Sequence, residues 1–79
     1  MALTEAILIR SIREFSDLNG EATADTPLFS SGALDSVAML NLIAFVEQQA
    51  GLEIRAEEVT LDNFDTAARI IRFAQERVA

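Results

Sequence analysis

The residue pair best suited to chemistry in this chain is Asp35-Ser36, which closes the stretch Leu28-Phe29-Ser30-Ser31-Gly32-Ala33-Leu34-Asp35-Ser36. Residues 37–50 follow with a helical pattern, so Ser36 lies where a loop becomes a helix. A hydroxyl at a helix N-terminus is exposed and faces the partial positive charge of that end, which suits the attachment of a phosphate. The alternative is that Asp35 and Ser36 only cap the helix, since both residue types are preferred there.

The composition argues against an enzyme and against a nucleic-acid partner. The chain has no His, Cys, Lys, Tyr or Trp, the groups on which proton transfer and nucleophile activation most often depend. Its 79 residues, which indicate one domain, leave little room for a substrate pocket. Six arginines against thirteen acidic residues give a net charge of −7, which disfavours binding to phosphate backbones. A functional serine would therefore be acted on by another protein.

The sequence predicts no targeting segment, membrane span or metal site. The N-terminus lacks a basic patch followed by an apolar run, and the longest apolar run, Leu42–Val46, is too short to cross a bilayer. Asp62–Asp65 superficially suggests a calcium loop but lacks the required glycine and distal glutamate. We expect a cytoplasmic monomer, and Met1 with the compact ends favours a freestanding protein over an excised domain.

The first predicted helix spans Leu3–Phe15, followed by a long connector. Its apolar residues recur at helical steps: Leu3, Ile7, Leu8, Ile12 and Phe15. Thr4 or Ala2 could begin this helix, and Asn19-Gly20 is its predicted end, because glycine supplies the left-handed C-terminal conformation.

Residues 21–35 have no periodic pattern and are rich in turn-forming residues. A connector of this length in a small domain is usually functional or disordered. The apolar side chains Leu28 and Leu34 favour a loop held against the core, while Phe29 is compatible with either burial or a surface contact.

The second predicted helix runs from Ser36 to Gln49 or Ala50 and ends at Gly51. At about 100° per residue, the core face is predicted to hold four residues: Met39, Leu42, Ile43 and Val46. The outward face, here called the helix-two stripe, is predicted to dock a partner and consists of Val37, Leu40, Asn41 and Ala44. The alternative is that neighbouring segments cover this face.

The remaining chain predicts a short helical turn at Arg55–Val59, a loop at Thr60–Asp65 with Phe64 inward, and a last helix. Leu52 and Ile54 are predicted to plug the core. The last helix is expected from about Thr66, with Asp65 or Thr66 as its cap, to Arg77 or Val78. Its predicted buried residues are Ala67, Ile70, Ile71, Ala74 and Val78, with Phe73 at the border. The fold class is therefore all-α: a small bundle of three to four helices with a long first loop, forming one domain over residues 1–79.

These features together resemble the acyl, peptidyl and aminoacyl carrier proteins over nearly the whole chain. The resemblance rests on Asp25-Thr26-Pro27-Leu28-Phe29, on Gly32 three residues before Asp35, and on Asp35-Ser36 opening a helix. It also includes Gly51-Leu52-Glu53-Ile54, the acidic turn Glu57-Glu58-Val59 and a closing amphipathic helix. It implies the fold of an acyl carrier protein and a non-catalytic function.

The resemblance implies that a phosphopantetheinyl transferase moves the 4′-phosphopantetheine arm of coenzyme A onto Ser36. The arm's thiol would carry an acyl or aminoacyl group as a thioester, which a loading ligase attaches and downstream acyl-transfer enzymes receive. Asp35 would cap the helix and lie where the transferase and its magnesium act. Leu34 and Val37, which flank Asp35-Ser36, would contact partner proteins together with Leu40, Asn41 and Ala44.

The chain departs from ordinary fatty-acid carriers, which usually bear further acidic residues on this helix just after the serine. Ala38 and Asn41 stand at those positions, and the first acid after Ser36 is Glu47. The loop before Ser36 and Phe64-Asp65-Thr66 look more like freestanding aminoacyl or D-alanyl carriers. The competing hypothesis is an unmodified helical interaction domain that binds a partner through the helix-two stripe.

Overall fold

The computed structural model describes residues 3–15, 23–32 and 34–78. Four α-helices and one 3₁₀ turn follow one another in this part of the chain: α1 (Glu5–Phe15), α2 (Ser36–Ala50), the 3₁₀ turn Ala56–Glu58, α3 (Leu61–Phe64) and α4 (Ala67–Val78). No strand occurs among these residues. The predicted all-α bundle of three to four helices is therefore confirmed.

The core lies where α1, α2 and α4 pack against one another, with α3 packed on α4. Its centre is made of fully buried aliphatic side chains from all three long helices: Leu8, Ile12, Leu42, Val46 and Ile70. Phe64 of α3 closes the core, and its ring centroid lies 5.3 Å from that of Phe73 on α4. Each such side chain contributes about 1.5–3 kcal/mol of burial free energy, which stabilises a domain that lacks disulfides.

The start of α1 and most of its core face match the sequence pattern. The Thr4 hydroxyl accepts a hydrogen bond from the Ile7 backbone N–H at 3.2 Å, so Thr4 caps the helix. Ile7 itself is 40% exposed rather than buried, and Ser11 is buried instead. At 100° per residue, Ile7 lies roughly 90° from the centre of the face that holds Leu8, Ser11 and Ile12. The predicted helix end at Asn19-Gly20 and the side chain of Phe15 lie outside the part of the chain that the structure describes.

Helix α2 has the predicted bounds, but its core face is rotated by roughly 30° from the predicted one. The buried residues recur at every fourth position: Ala38, Leu42, Val46 and Ala50. Met39 and Ile43, which we predicted in the core, are only half-buried. Gly51 ends the helix, as the sequence predicted; it adopts φ +70°, and its N–H donates to the Glu47 carbonyl at 2.9 Å.

The predicted loop at Thr60–Asp65 is instead the one-turn helix α3. The Thr60 hydroxyl accepts from the Asn63 N–H at 3.3 Å and so caps the turn, a role that the sequence pattern did not reveal. Phe64 points inward as predicted. Leu52 and Ile54 pack against the core while remaining half-buried.

Helix α4 is capped by Thr66, whose hydroxyl accepts from the Arg69 N–H at 3.2 Å. Val78 is 45% exposed, in contrast to its predicted burial, because it lies in the terminal turn beyond the last buried residue, Ala74. Phe73 is buried rather than at the border, since its ring packs on Phe64. Within the described residues, every helix is too short or too polar to cross a membrane.

Candidate functional site

The candidate site is the N-terminus of α2, where Asp35 fixes the first turn. Its side-chain Oδ1 accepts from the Ala38 N–H at 2.8 Å, and its carbonyl accepts from the Met39 N–H at 2.9 Å. The backbone of Asp35 is extended, with φ −92° and ψ −175°, as an N-cap residue requires. Ser36 follows as the first helical residue and is exposed. The structure therefore presents a hydroxyl to solvent at a capped helix start.

The three serines near this helix start differ in what their hydroxyls contact. The Ser30 hydroxyl donates to Oδ2 of Asp65 at 2.8 Å, and the Ser31 hydroxyl donates to the Pro27 carbonyl at 2.6 Å. Within the described chain, no hydrogen bond engages the Ser36 hydroxyl. Of the three hydroxyls, that of Ser36 is the one available for reaction without breaking an internal contact.

The loop before α2 is held by a backbone hydrogen bond within it and by two side chains buried in the core. Leu28 and Leu34 are both buried, and the Leu34 N–H donates to the Leu28 carbonyl at 3.0 Å. Between them Gly32 adopts φ +78° and donates to the Phe29 carbonyl at 3.0 Å. Phe29 is half-buried and packs against the core. Leu34 is only 6% exposed and packs in the core, which confirms the predicted loop held against the core; its role as a partner contact stays a prediction.

The helix-two stripe is open to solvent beside Ser36. Val37 and Leu40 are each 67% exposed, and Asn41 and Ala44 are also exposed. The alternative in which neighbouring segments cover this face does not hold within the described residues. Ala38 is buried, so of the two positions where fatty-acid carriers usually bear acids only Asn41 faces solvent. No acidic residue lies in the first turn of α2.

Asp65 anchors the loop before α2 to the segment between α3 and α4, a role that the sequence pattern did not reveal. Its carboxylate accepts hydrogen bonds from the backbone N–H groups of Phe29 and Ser30 and from the Ser30 hydroxyl. The Ser30 backbone bond is the largest cause that lowers the pKa of Asp65, and burial opposes it. Asp65 does not cap α4. The sequence shows an aspartate before a helix, but the backbone N–H that its carboxylate binds lies 35 residues away in the chain, so the sequence pattern could not identify it.

A second carboxylate, Glu58, lies at the other end of α4. It accepts from the guanidinium of Arg77 at 2.8 Å and from the Arg55 backbone N–H at 2.9 Å. The Arg55 backbone bond, then the Arg77 bond, lowers the pKa of Glu58. Arg77 also donates to the Glu53 carbonyl at 2.5 Å. Together these contacts, the Glu58–Arg77 clamp, tie the segment after α2 to the C-terminus of α4.

Comparisons with known proteins relate this architecture to a carrier family. A family model described as "Phosphopantetheine attachment site" matches residues 6–74. D-alanyl carrier protein 1 of Lactiplantibacillus plantarum is 34% identical over 59 residues, which cover 71% of this chain and 74% of that protein. Lincomycin biosynthesis protein LmbN of Streptomyces lincolnensis is 44% identical over 63 residues, covering 80% of this chain but only 22% of that protein.

A solved structure supports the same fold. A chain in "Crystal structure of FAD-dependent dehydrogenase" superposes with a TM-score of 0.73 at 25% identity, covering 90% of this chain and 97% of that one. The serine hydroxyl at the capped helix start fits a covalently attached arm, because it is exposed and makes no hydrogen bond within the described residues. The chain belongs to the carrier proteins that bear a covalent 4′-phosphopantetheine arm, a family of non-catalytic acyl carriers whose members include a D-alanyl carrier protein.

Proposed function

We propose that Ser36 is the attachment residue and that residues 1–79 act as one carrier domain holding an aminoacyl or acyl thioester. The observation that carries the proposal is the exposed, unengaged Ser36 hydroxyl at the capped start of α2. Ser30 and Ser31 are the rival acceptors, and both hydroxyls are already bonded within the loop.

The modification is a group transfer from coenzyme A. The Ser36 oxygen forms a bond to the phosphorus that bears the pantetheine, the phosphoanhydride bond of coenzyme A breaks, adenosine 3′,5′-bisphosphate leaves, and the serine proton passes to a base. The chain has no histidine or lysine to accept that proton, so the transferase supplies the base. Asp35 holds the first turn in place through its bond to the Ala38 N–H and brings a negative charge next to Ser36, where the transferase's magnesium would act. The bound arm supplies the thiol on which the cargo is carried.

The helix-two stripe is proposed as the surface that partner enzymes contact. It adjoins Ser36, and its two large apolar side chains, Val37 and Leu40, are mostly exposed. The partner classes are the phosphopantetheinyl transferase, a loading ligase and downstream acyl-transfer enzymes. This part of the surface is apolar, so contact area rather than charge pairing would provide most of the affinity.

An amino acid is the proposed cargo class. A D-alanyl carrier protein is among the relatives, and α2 lacks acidic residues in its first turn. The similarity to a chain in a structure named for a FAD-dependent dehydrogenase makes flavin dehydrogenases one class of consuming enzyme to test with the loaded carrier. We further propose a cytoplasmic monomer, since coenzyme A would be the donor of the arm.

The test is intact-mass measurement after incubation with coenzyme A and a broad-specificity phosphopantetheinyl transferase. The expected result is the gain of one arm by the wild-type chain and by Ser31→Ala, a matched control with an exposed serine in the same loop. Ser36→Ala should gain nothing. An unmodified wild-type chain would favour the competing interaction domain, and an arm on Ser36→Ala would assign the attachment to another residue.

A further inference from the structure

We propose that Asp65 is a positioning residue for the modification of Ser36. By binding the loop before α2, it holds the helix start in the conformation that the transferase recognises. This inference rests on the proposed attachment at Ser36. Asp65 has no contact with Ser36 among the hydrogen bonds of the described chain, so it would act through the loop rather than on the reacting atoms.

Three consecutive loop residues donate four hydrogen bonds to Asp65. The Leu28 N–H donates to its carbonyl at 2.7 Å. The N–H groups of Phe29 and Ser30 both donate to Oδ1 at 2.9 Å, and the Ser30 hydroxyl donates to Oδ2 at 2.8 Å. Both carboxylate oxygens and the backbone carbonyl of Asp65 therefore accept hydrogen bonds from one short segment of the loop. Hydrogen bonds to an ionised acceptor are about twice as strong as neutral ones, so this anchor is the strongest polar link that the loop makes to α3 and α4.

The anchored segment is connected to Ser36 by a short series of contacts. The Leu28 carbonyl accepts from the Leu34 N–H at 3.0 Å, so fixing Leu28 also fixes Leu34. Leu34 is buried and directly precedes Asp35, which caps α2. Displacement of Leu28 would therefore be transmitted to the cap and to the orientation of Ser36.

Among the described loop residues, a further backbone hydrogen bond links the loop to the same end of α4, and it does not replace Asp65. The Ala68 N–H donates to the Ala24 carbonyl at 3.0 Å, which fixes the early part of the loop. The segment nearer Ser36 depends on Asp65 and on the burial of Leu28 and Leu34. Loss of the carboxylate would leave the Phe29 and Ser30 N–H groups without these acceptors and allow the loop to sample other conformations.

A loop that samples other conformations raises the apparent dissociation constant in inverse proportion to the fraction of molecules that remain in the competent state. The transferase would then bind fewer productive molecules, yet each bound molecule would react normally. The inference therefore predicts a higher KM of the transferase for this carrier at an unchanged kcat. If Asp65 only stabilised the fold, KM would not rise at unchanged kcat under conditions where all variants are folded.

The experiment measures KM and kcat of arm transfer for four variants at a temperature where circular dichroism shows each to be folded. Asp65→Ala should raise KM about fivefold with kcat within about twofold of wild type. Asp65→Asn keeps Oδ1 for the two N–H groups and can donate to the Ser30 hydroxyl, so KM should return to within about twofold of wild type. Ser30→Ala removes the hydroxyl bond alone and should raise KM about twofold.

Arg77→Ala is the matched control, because it breaks the Glu58–Arg77 clamp at the opposite end of α4, about 18 Å along a 12-residue helix. It should leave KM unchanged. Equal KM values for Asp65→Ala and Arg77→Ala would overturn the inference while leaving the attachment at Ser36 intact. If Asp65→Ala does not fold, Ser30→Ala decides, and a wild-type KM for it would overturn the inference. Failure of the wild-type chain to accept an arm would overturn both proposals.

Discussion

Two aspartates act near Ser36, and at the residue scale they differ in how far their hydrogen bonds reach. Asp35 accepts from an N–H three residues ahead, so its role is local and follows from the sequence. Asp65 accepts from N–H groups 35 and 36 residues away, so its role exists only in the folded chain. The first fixes the helix start, and the second fixes the loop that leads to it.

Asp35→Asn separates the capping role of Asp35 from its charge. Asparagine keeps the oxygen that accepts from the Ala38 N–H, so the free energy of unfolding should change by less than about 0.5 kcal/mol. Asp35→Ala should lose about 1 kcal/mol, because the cap is removed. If the carboxylate also serves the transferase, Asp35→Asn should slow arm transfer despite its normal stability. Urea denaturation and transfer rates check both points, and normal transfer by Asp35→Asn would limit Asp35 to capping.

Asp65 should make the stability of the protein depend on acid pH. Hydrogen bonds from Ser30, then Phe29, hold the pKa of Asp65 below its ordinary value of 3.8. The stability that the ionised Asp65 carboxylate contributes is therefore fully present above the ordinary pKa of 3.8. It is lost as the pH falls through the lowered pKa of the folded protein. The advantage of wild type over Asp65→Asn in free energy of unfolding should be constant near neutral pH and shrink below about pH 4. Urea midpoints from pH 7 to pH 3 measure it, and a difference that stays constant would contradict the role.

At the scale of elements, α2 combines two functions that are usually separate. One face packs against α1 and α4 through residues at every fourth position, and the other carries the exposed helix-two stripe. A helix that is apolar nearly all round is normally buried on all sides, so its exposed half requires another explanation. Binding to partner enzymes provides one. The ends of α2 are fixed by the Asp35 cap and by Gly51 in the left-handed conformation.

Gly51→Ala should destabilise the protein by about 1 kcal/mol, because alanine rarely adopts the φ of +70° at this position. No heavy atom lies within 4 Å of a Cβ built there, so the cost comes from the backbone alone. Gly51→Asn is the matched variant and should cost less, because asparagine tolerates the left-handed conformation better. Thermal or urea unfolding measures both variants. Equal losses for the two variants would contradict backbone strain as the cause.

At the scale of the whole molecule, the net charge of −7 and the apolar helix-two stripe lead to two different predictions of how partners recognise the protein. Two of the acidic residues that follow the first turns of α2 are engaged in internal contacts. Glu47 accepts a hydrogen bond from the Ile54 N–H, and Glu58 belongs to the Glu58–Arg77 clamp. Glu53 and Glu57 are exposed. Exposed charges act at long range and are screened by salt, whereas an apolar contact is not.

Added negative charge on the helix-two stripe should impair loading by the cognate ligase. Asn41→Glu and Ala44→Glu place a carboxylate on an apolar contact surface, so KM should rise by about tenfold. Gln75→Glu adds the same charge on an exposed position of α4 and should have no such effect. For the wild-type chain, KM should vary little between low and moderate salt. Unchanged loading by the stripe variants, or strong salt sensitivity, would favour charge-based docking.

How far the sequence predicts this structure depends on the range of the interactions involved. The bounds of α2, the glycine that ends it and its capping aspartate depend on neighbours within a few residues, and all three are confirmed. The exact core face of α2 was wrong by a fraction of a turn, because an apolar helix leaves its orientation to the surfaces that pack on it. The burial of Leu34 was expected from an apolar side chain in a polar connector, and the structure confirms it.

The sequence by itself determined the helical class and the exposed serine at the start of a capped helix, because these follow from local propensities and periodicity. It also carried the resemblance to carrier proteins, through motifs such as Asp35-Ser36 at the start of a helix. The tertiary structure decided which serine hydroxyls are engaged, which side of α2 faces solvent and which residue holds the loop before Ser36. Those features require atoms brought together from distant parts of the chain, as in the bond between Ser30 and Asp65. Ser36 was a candidate in the sequence, and its unengaged hydroxyl is a property of the fold.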